Sequence, residues 1–305
     1  MRDRAWTGDT DAYTPSILAA QRGAFPEGQR MADGVASDDG TRTLADPLAE
    51  SLRIVDAADR QGLLVRLMGG MAIRAHAPDW PARSRRVEVD LDFATRSKDR
   101  GAFYQLLEAE GYTADKRHNA LFGGKQAYFV DVPRKRPVDV LVDSLEMCHR
   151  FEFADRLNAS SPTLPLAELL LSKLQVVKIN RKDVLDALVL LAEHPLANDD
   201  GAADERTGQG AINLPRILSF TSNDWGWWRT VTGNLDTLDR YLATELTPDD
   251  LDLDNGRSIL FDPSSQVADL RKAIDDASKS TKWKLRSRVG ERQSWYNDPE
   301  EMGHN

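Results

Sequence analysis

The sequence predicts a mixed α/β fold, a small mixed sheet flanked by helices and followed by a helical C-terminal region. Three observations carry this expectation. Residues 87–93, Val-Glu-Val-Asp-Leu-Asp-Phe, alternate apolar and acidic side chains with period two, the pattern of a strand with one buried face. Apolar runs at 63–68, 124–132 and 137–143 repeat the strand signal, with helical spacing between them. Beyond residue 163 the apolar positions recur at helical spacing only.

The elements follow in order. Residues 1–46 are rich in Gly, Asp, Arg and Thr and poor in large apolar side chains, so a flexible arm is expected. From Pro47 an amphipathic helix carries Leu48, Leu52 and Val55 and is closed by Gly62. A short strand, Leu63 to Met68, runs into Gly69-Gly70, and a short helix covers Met71 to His76. A loop with Pro78, Pro81, Arg83, Arg85 and Arg86 leads to the alternating strand. A helix from Lys98 to Glu110 is closed by Gly111, and two strands then flank the Pro-Arg-Lys-Arg-Pro turn at 133–137. Thr163 and Pro165 start a helix that runs through Lys178, and a second spans Arg181 to Glu193. Residues 196–211 read as an exposed linker. After it come a tryptophan-rich helical segment (Trp225, Trp227, Trp228, then Leu235 to Leu246), an acidic loop at 249–254 and a helix near Val267 to Ala277. This gives an arm (1–46), an α/β domain (47–150), a helical part completing its cleft (151–195), the linker, and a helical region with a basic and aromatic tail (212–305).

Composition narrows the function classes. The chain has 305 residues, 41% of them hydrophobic, ample for a substantial core. No apolar run approaches the ~20 residues of a membrane helix and the first residues carry no secretory h-region, so a cytoplasmic protein without membrane contact is expected. The lone cysteine, Cys148, excludes an internal disulfide framework and is expected to be a packing residue. A net charge of −9 argues against coating nucleic acid by bulk charge, though not against a local basic patch.

Chemistry concentrates in two places. In the strand at 87–93, Glu88, Asp90 and Asp92 project from one face, because side chains alternate across a strand. Crowded carboxylates are unfavourable unless a cation or strong donors offset them, and hard divalent ions such as Mg2+ take such oxygen ligands. Just upstream, Gly69 and Gly70 lie between a strand and a helix, where missing side chains let backbone N–H groups approach a phosphate. A third acid stands on the later strand, Asp139 between Val138 and Val140, with Asp131 and Asp143 as competitors.

The order strand, Gly-Gly, helix, Asp-x-Asp strand, hydrophobic-Asp-hydrophobic strand over residues 63–143 resembles the nucleotidyltransferase superfamily, whose members include polymerase-beta-like enzymes. The interval from Gly70 to Asp90 is longer than in compact members.

The helical part adds a separate signal. Lys173 falls within the apolar stripe of Leu166, Leu169, Leu170, Leu174 and Val177, so its amine either snorkels to water or is aimed at a nucleotide phosphate. Asp183 and Asp186, three apart, share one helix face; Asp183 also fits a first-turn acid behind an Asn180 cap. Lys173-Leu174 with Arg181-Lys182-Asp183-Val184-Leu185-Asp186 resembles the third and fourth motifs of AbiEii-type nucleotidyltransferases, toxins of type IV toxin–antitoxin systems. Lys182 departs from the arginine usual in that family.

The resemblance implies transfer of a nucleoside monophosphate from an NTP to an acceptor hydroxyl. It implies two Mg2+ ions on Asp90, Asp92 and Asp139, phosphates seated on Gly69 and Gly70, and Lys173 and Asp183 around the nucleotide. The acceptor would be tRNA or another RNA, a protein or a small molecule, and an antitoxin would be a partner. The competing reading is a degenerate member that binds nucleotide or a protein partner without turnover. In the tail, Lys279, Lys282, Lys284, Arg286, Arg288 and Arg292 surround Trp283, with Trp295-Tyr296 following. These residues either hold an RNA backbone and stack on a base, or form a solvated helix that packs its tryptophans on the domain. The five histidines, His76, His118, His149, His194 and His304, show no metal spacing, and none is given a catalytic role.

Overall fold

The computed structural model describes residues 41–80, 90–201, 210–246, 253, 256 and 258–298. Glu88, the arginine-bearing loop and nearly all of the expected arm lie outside the described residues.

Helix α1 (Pro47–Arg60) starts where Asp46 accepts the Ala49 N–H and Pro47 supplies a helical φ. It ends at Gly62, whose φ of +71° provides the left-handed turn into β1 (Val65–Met68). Helix α2 (Gly69–His76) follows directly, then β2 (Leu91–Thr95), α3 (Arg100–Ala109), β3 (Thr113–Ala114), α4 (Lys116–Phe122), β4 (Gln126–Asp131) and β5 (Arg136–Val142). The five strands form one mixed sheet in the order β1-β2-β5-β4-β3, in which only the β2–β5 pair is parallel. Phe93, Leu67, Val138 and Val140 fill its closed face and are fully buried. Each such side chain contributes roughly 1.5–3 kcal/mol.

The described part of the acid-bearing strand is β2, Leu91–Thr95. Asp90 stands just ahead of β2, and residues 87–89 lie outside the described set. The helix expected over 98–110 is Arg100–Ala109, and the helix expected through Lys178 stops at Leu174. Helix α4 was not anticipated. Asp115 caps it by accepting the His118 N–H, but none of its side chains is buried, so no apolar stripe marks it in the sequence.

A hairpin, β6 (Ser144–Glu146) and β7 (Arg150–Glu152), leads to the helical half: α5 (Leu166–Leu174), α6 (Arg181–Glu193), α7 (Leu214–Thr221), α8 (Trp225–Thr244), α9 (Pro263–Asp276) and α10 (Thr281–Ser287). The two ends of the expected linker are tied together, since β8 (Leu196–Ala197) pairs in parallel with β9 (Ile212–Asn213) and Asp200 receives Arg156. Helix α2 packs on β1 and β2 and also on α5 and α6, so it joins the sheet to the helical half. Among the described residues, no helix is long and apolar enough to cross a membrane.

Candidate active site

The register decides which acids meet. Met68 lies opposite Asp92 across β1–β2, Asp92 opposite Asp139 across β2–β5, and Asp139 opposite Tyr128 across β5–β4. The two aspartates are thus neighbours in one row on the open face of the sheet. Of the three candidates for the third acid, the register places Asp139 beside Asp92. Asp131 is fully buried near Arg134 and Arg136, and Asp143 turns to Ser97, whose backbone N–H it accepts at 3.0 Å.

Gly69 is required by this row. Its φ is +64°, and a Cβ added there would lie 1.9 Å from the Asp92 carboxylate Oδ2. The carboxylate occupies the space a side chain at 69 would take, at the first turn of α2. The N-cap residue, Met68, supplies no side-chain cap. The backbone N–H groups of that turn point where the helix dipole favours an anion. Gly70 is buried in the same turn.

Asp139 carries the electrostatic signature of the site. Burial pushes its pKa above the ordinary carboxylate value; a hydrogen bond from Gln126 Nε2 (2.8 Å) works in the opposite direction, and the Asp90 charge pushes it further up. Asp90 therefore faces Asp139 closely enough to repel it. Tyr128 and His118 stack with ring centroids 4.1 Å apart beside the same carboxylate, and burial together with the Asp139 charge raises the Tyr128 pKa. Gln126, Tyr128 and His118 had been missed in the sequence. Gln126 and Tyr128 show only as the polar positions of an alternating strand, and His118 sits on the helix that no periodicity betrayed.

Asp90, Asp92 and Asp139 are oxygen donors of the kind a hard divalent cation takes, and the repulsion between Asp90 and Asp139 is what such an ion would relieve. Against this, among the described residues no three His, Cys, Asp or Glu side chains stand close enough to hold an ion as placed. Donor chemistry and the cradle at Gly69 fit a cation.

Lys173 belongs to a second cluster. It is buried, and its Nζ lies 3.0 Å from Asp183 Oδ1 and 2.8 Å from Asp186 Oδ2. Asn180 caps α6 by accepting the Asp183 N–H and donates from Nδ2 to Asp183 Oδ2 at 2.8 Å. The amine is thus turned onto α6 and engaged with two carboxylates. The two clusters are linked through α2, which begins at Gly69 and packs against both α5 and α6.

His76 and His194 meet edge to face at 5.0 Å, away from any acid row. Burial lowers the His76 pKa to about 4 and that of His194 further, so both are neutral; His76 Nε2 bonds Thr163 Oγ1 at 2.8 Å. They stand at the junction between α2 and α6.

No protein-family model and no curated protein matches the chain. Among solved structures it is similar to the Megavirus polyadenylate synthase, at 11% identity and a TM-score of 0.29, over 82% of this chain and 60% of that one. The chain thus spans less than two thirds of that protein. It is also similar to a STING-associated CdnE c-di-GMP synthase from Capnocytophaga granulosa, at 13% identity and a TM-score of 0.23, over 79% of this chain and 82% of that one.

Proposed function

We propose that the chain is a metal-dependent nucleotidyltransferase that moves a nucleoside monophosphate from an NTP to an acceptor hydroxyl and releases pyrophosphate. The observation that carries this reading is the row Gly69–Asp92–Asp139. A glycine held at positive φ makes room for a carboxylate at a helix N-terminus, next to a second carboxylate whose pKa is raised. The motif order seen in the sequence supports the same reading.

In this scheme Asp90, Asp92 and Asp139 would hold two Mg2+ ions, which would supply charge neutralisation at the triphosphate and acidify the acceptor hydroxyl. The N–H groups at the start of α2, beside Gly69 and Gly70, seat phosphate oxygens. Asp139 serves as metal ligand or as the base that takes the acceptor hydroxyl's proton while its oxygen attacks the α-phosphorus and pyrophosphate leaves. Gln126 holds the orientation of Asp139. Lys173, whose amine Asp183 and Asp186 hold on α6, would neutralise charge on the departing pyrophosphate once drawn from that pair by the nucleotide.

The acceptor we favour is RNA, with tRNA the first candidate, and the biological setting an AbiEii-type toxin with a cognate antitoxin. Protein and small-molecule acceptors are the alternatives within the same chemistry. A second reading, nucleotide binding without turnover, draws on one observation: the Lys173 amine is already engaged by two carboxylates.

The test is incubation of the protein with Mg2+, each α-labelled NTP in turn and total tRNA, beside Asp90→Asn. Label in tRNA that depends on Asp90 supports the proposal in full, and label in the protein itself moves the acceptor to protein. NTP binding with neither label nor pyrophosphate favours the non-catalytic reading.

A further inference from the structure

The basic and aromatic tail builds a cavity of its own in the helical half. It is a groove of about 730 Å³, open to solvent and bordered by three segments: residues 148–150 at the β6–β7 turn, the first turn of α8, and α10 with the stretch 294–297 that follows it. That volume lies within the range of small-molecule sites.

Its walls are of two kinds. Trp225, Trp227, Trp295 and Tyr296 supply aromatic surface, while Arg150, Lys282 and Arg286 supply positive charge. The one acid in the lining, Asp224, is committed to capping α8, accepting the N–H groups of Gly226 at 2.7 Å and Trp227 at 3.2 Å. Arg286 lies 4.7 Å over the Trp225 ring and gives its hydrogen bonds to the carbonyl oxygens of Gly290, Gln293 and Ser294. Among the described residues no carboxylate neutralises it. Lys282 pairs with Asp224 at 3.6 Å, and Arg150 with Glu152 at 2.8 Å and Glu146 at 3.4 Å; both cations are largely exposed, where such pairs are weak and an incoming anion can compete for them.

The cavity is held open by specific contacts. Asn297 N–H donates to Cys148 O at 2.9 Å, and Trp295 Nε1 donates to Thr230 Oγ1 at 3.1 Å. Gly226 is needed for the approach, since a Cβ there would meet Trp295 O at 2.6 Å. The stretch 294–297 is therefore packed against α8 by contacts that leave little ordering to be done when a ligand arrives.

We infer that this cavity binds a nucleotide, its base stacked on the tryptophan and tyrosine surface and its phosphate held by Lys282, Arg150 and Arg286. Planar rings with an attached anion are the chemistry that matches both walls at once: a phosphate can displace the exposed carboxylates from Arg150 and Lys282, while a bare anion would leave the aromatic surface unused. The nucleotide comes either free or as a unit of single-stranded RNA. The inference stands on residues separate from the carboxylate row.

The test uses the full chain in a chelator, so that a metal-bound triphosphate on the carboxylate row cannot contribute. Five of the seven tryptophans lie between 225 and 295, so AMP binding is followed by tryptophan quenching. Binding of a labelled single-stranded 12-nucleotide RNA is followed by anisotropy. Lys282→Glu and Tyr296→Ala alter the lining at half-buried or exposed side chains, and Asp92→Asn serves as the control. Saturable binding is expected, weakened about tenfold or more by each lining variant, reduced by salt, and unchanged in Asp92→Asn. RNA binding without AMP binding identifies the strand as the source, and AMP binding of equal strength identifies the free nucleotide. Absence of binding by both probes, or binding that the lining variants leave intact, overturns the inference.

Discussion

Replacing Gly69 with alanine separates the cost of a backbone conformation from the cost of moving a carboxylate. Gly69 adopts φ +64°, and an L side chain in that region costs roughly 1–2 kcal/mol. The added Cβ would also lie 1.9 Å from Asp92 Oδ2, where real Cβ contacts stay beyond 3.0 Å, so the carboxylate must shift by at least about 1.1 Å, the difference of the two. A misplacement of about 1 Å at a reacting centre costs on the order of 100-fold in rate. Gly62 is the matched control: its φ is +71° and nothing lies within 4 Å of an added Cβ. Gly62→Ala is therefore expected to lose the same ~1–2 kcal/mol of stability with turnover unchanged. Gly69→Ala is expected to lose at least that much stability and about 100-fold in NMP transfer. Chemical denaturation gives the first quantity and pyrophosphate release the second. Equal stability losses with full activity in both variants would refute the role assigned to the Gly69–Asp92 contact.

Four further outcomes are expected. Asp90→Asn and Asp92→Asn each lower NMP transfer by more than the roughly 100-fold typical of losing an outer partner of a metal ligand, with little change in the denaturation midpoint. Asp139→Asn abolishes transfer yet, in chelator at neutral pH, stabilises the protein. The Asp139 pKa is raised in the fold, so its ionised form disfavours folding above that pKa, and the gain disappears below the ordinary value of 3.8; denaturation at several pH values reads it. Lys173→Met leaves Asp183 and Asp186 without their shared cation at a mostly buried position and is expected to cost about 3–5 kcal/mol, a loss that chemical denaturation would show and that a purely substrate-directed lysine would not produce. His76, whose pKa falls from 6.5 to about 4 by burial, binds its proton more readily when unfolded. Stability is lost as pH falls from 6.5 toward 4, by about 3 kcal/mol at the lower end. His76→Gln, which keeps a donor for Thr163, should make that acid limb shallower.

What could be read from the sequence was whatever is written in local periodicity. The Asp-x-Asp alternation placed two acids on one strand face, and helical spacing placed Lys173 inside an apolar stripe, where it is indeed buried. Asp183 and Asp186 could be put on one face for the same reason. That Lys173 spans both required the packing of α5 on α6, which spacing within either helix does not contain. The choice among Asp131, Asp139 and Asp143 rested on strand register, a long-range property, and the parallel pairing of β2 with β5 settles which acid faces Asp92. His118 escaped because α4 buries nothing and so leaves no stripe. The tail was legible as composition, basic and aromatic, but whether those tryptophans pack or line a cavity depended on the strap formed by residues 294–297. They do both: Trp283 packs edge to face on Trp228 at 5.2 Å, and Trp295 lines the cavity.

The most direct test of the central claim is a calorimetric titration of Mn2+ into the protein with a non-hydrolysable NTP, comparing the unaltered chain with Asp92→Asn and Asp139→Asn. The account predicts metal binding that strengthens when the nucleotide is present and is lost or weakened at least about tenfold in both variants. Equal metal affinity in all three proteins would contradict it, and would remove the row of aspartates from the chemistry altogether.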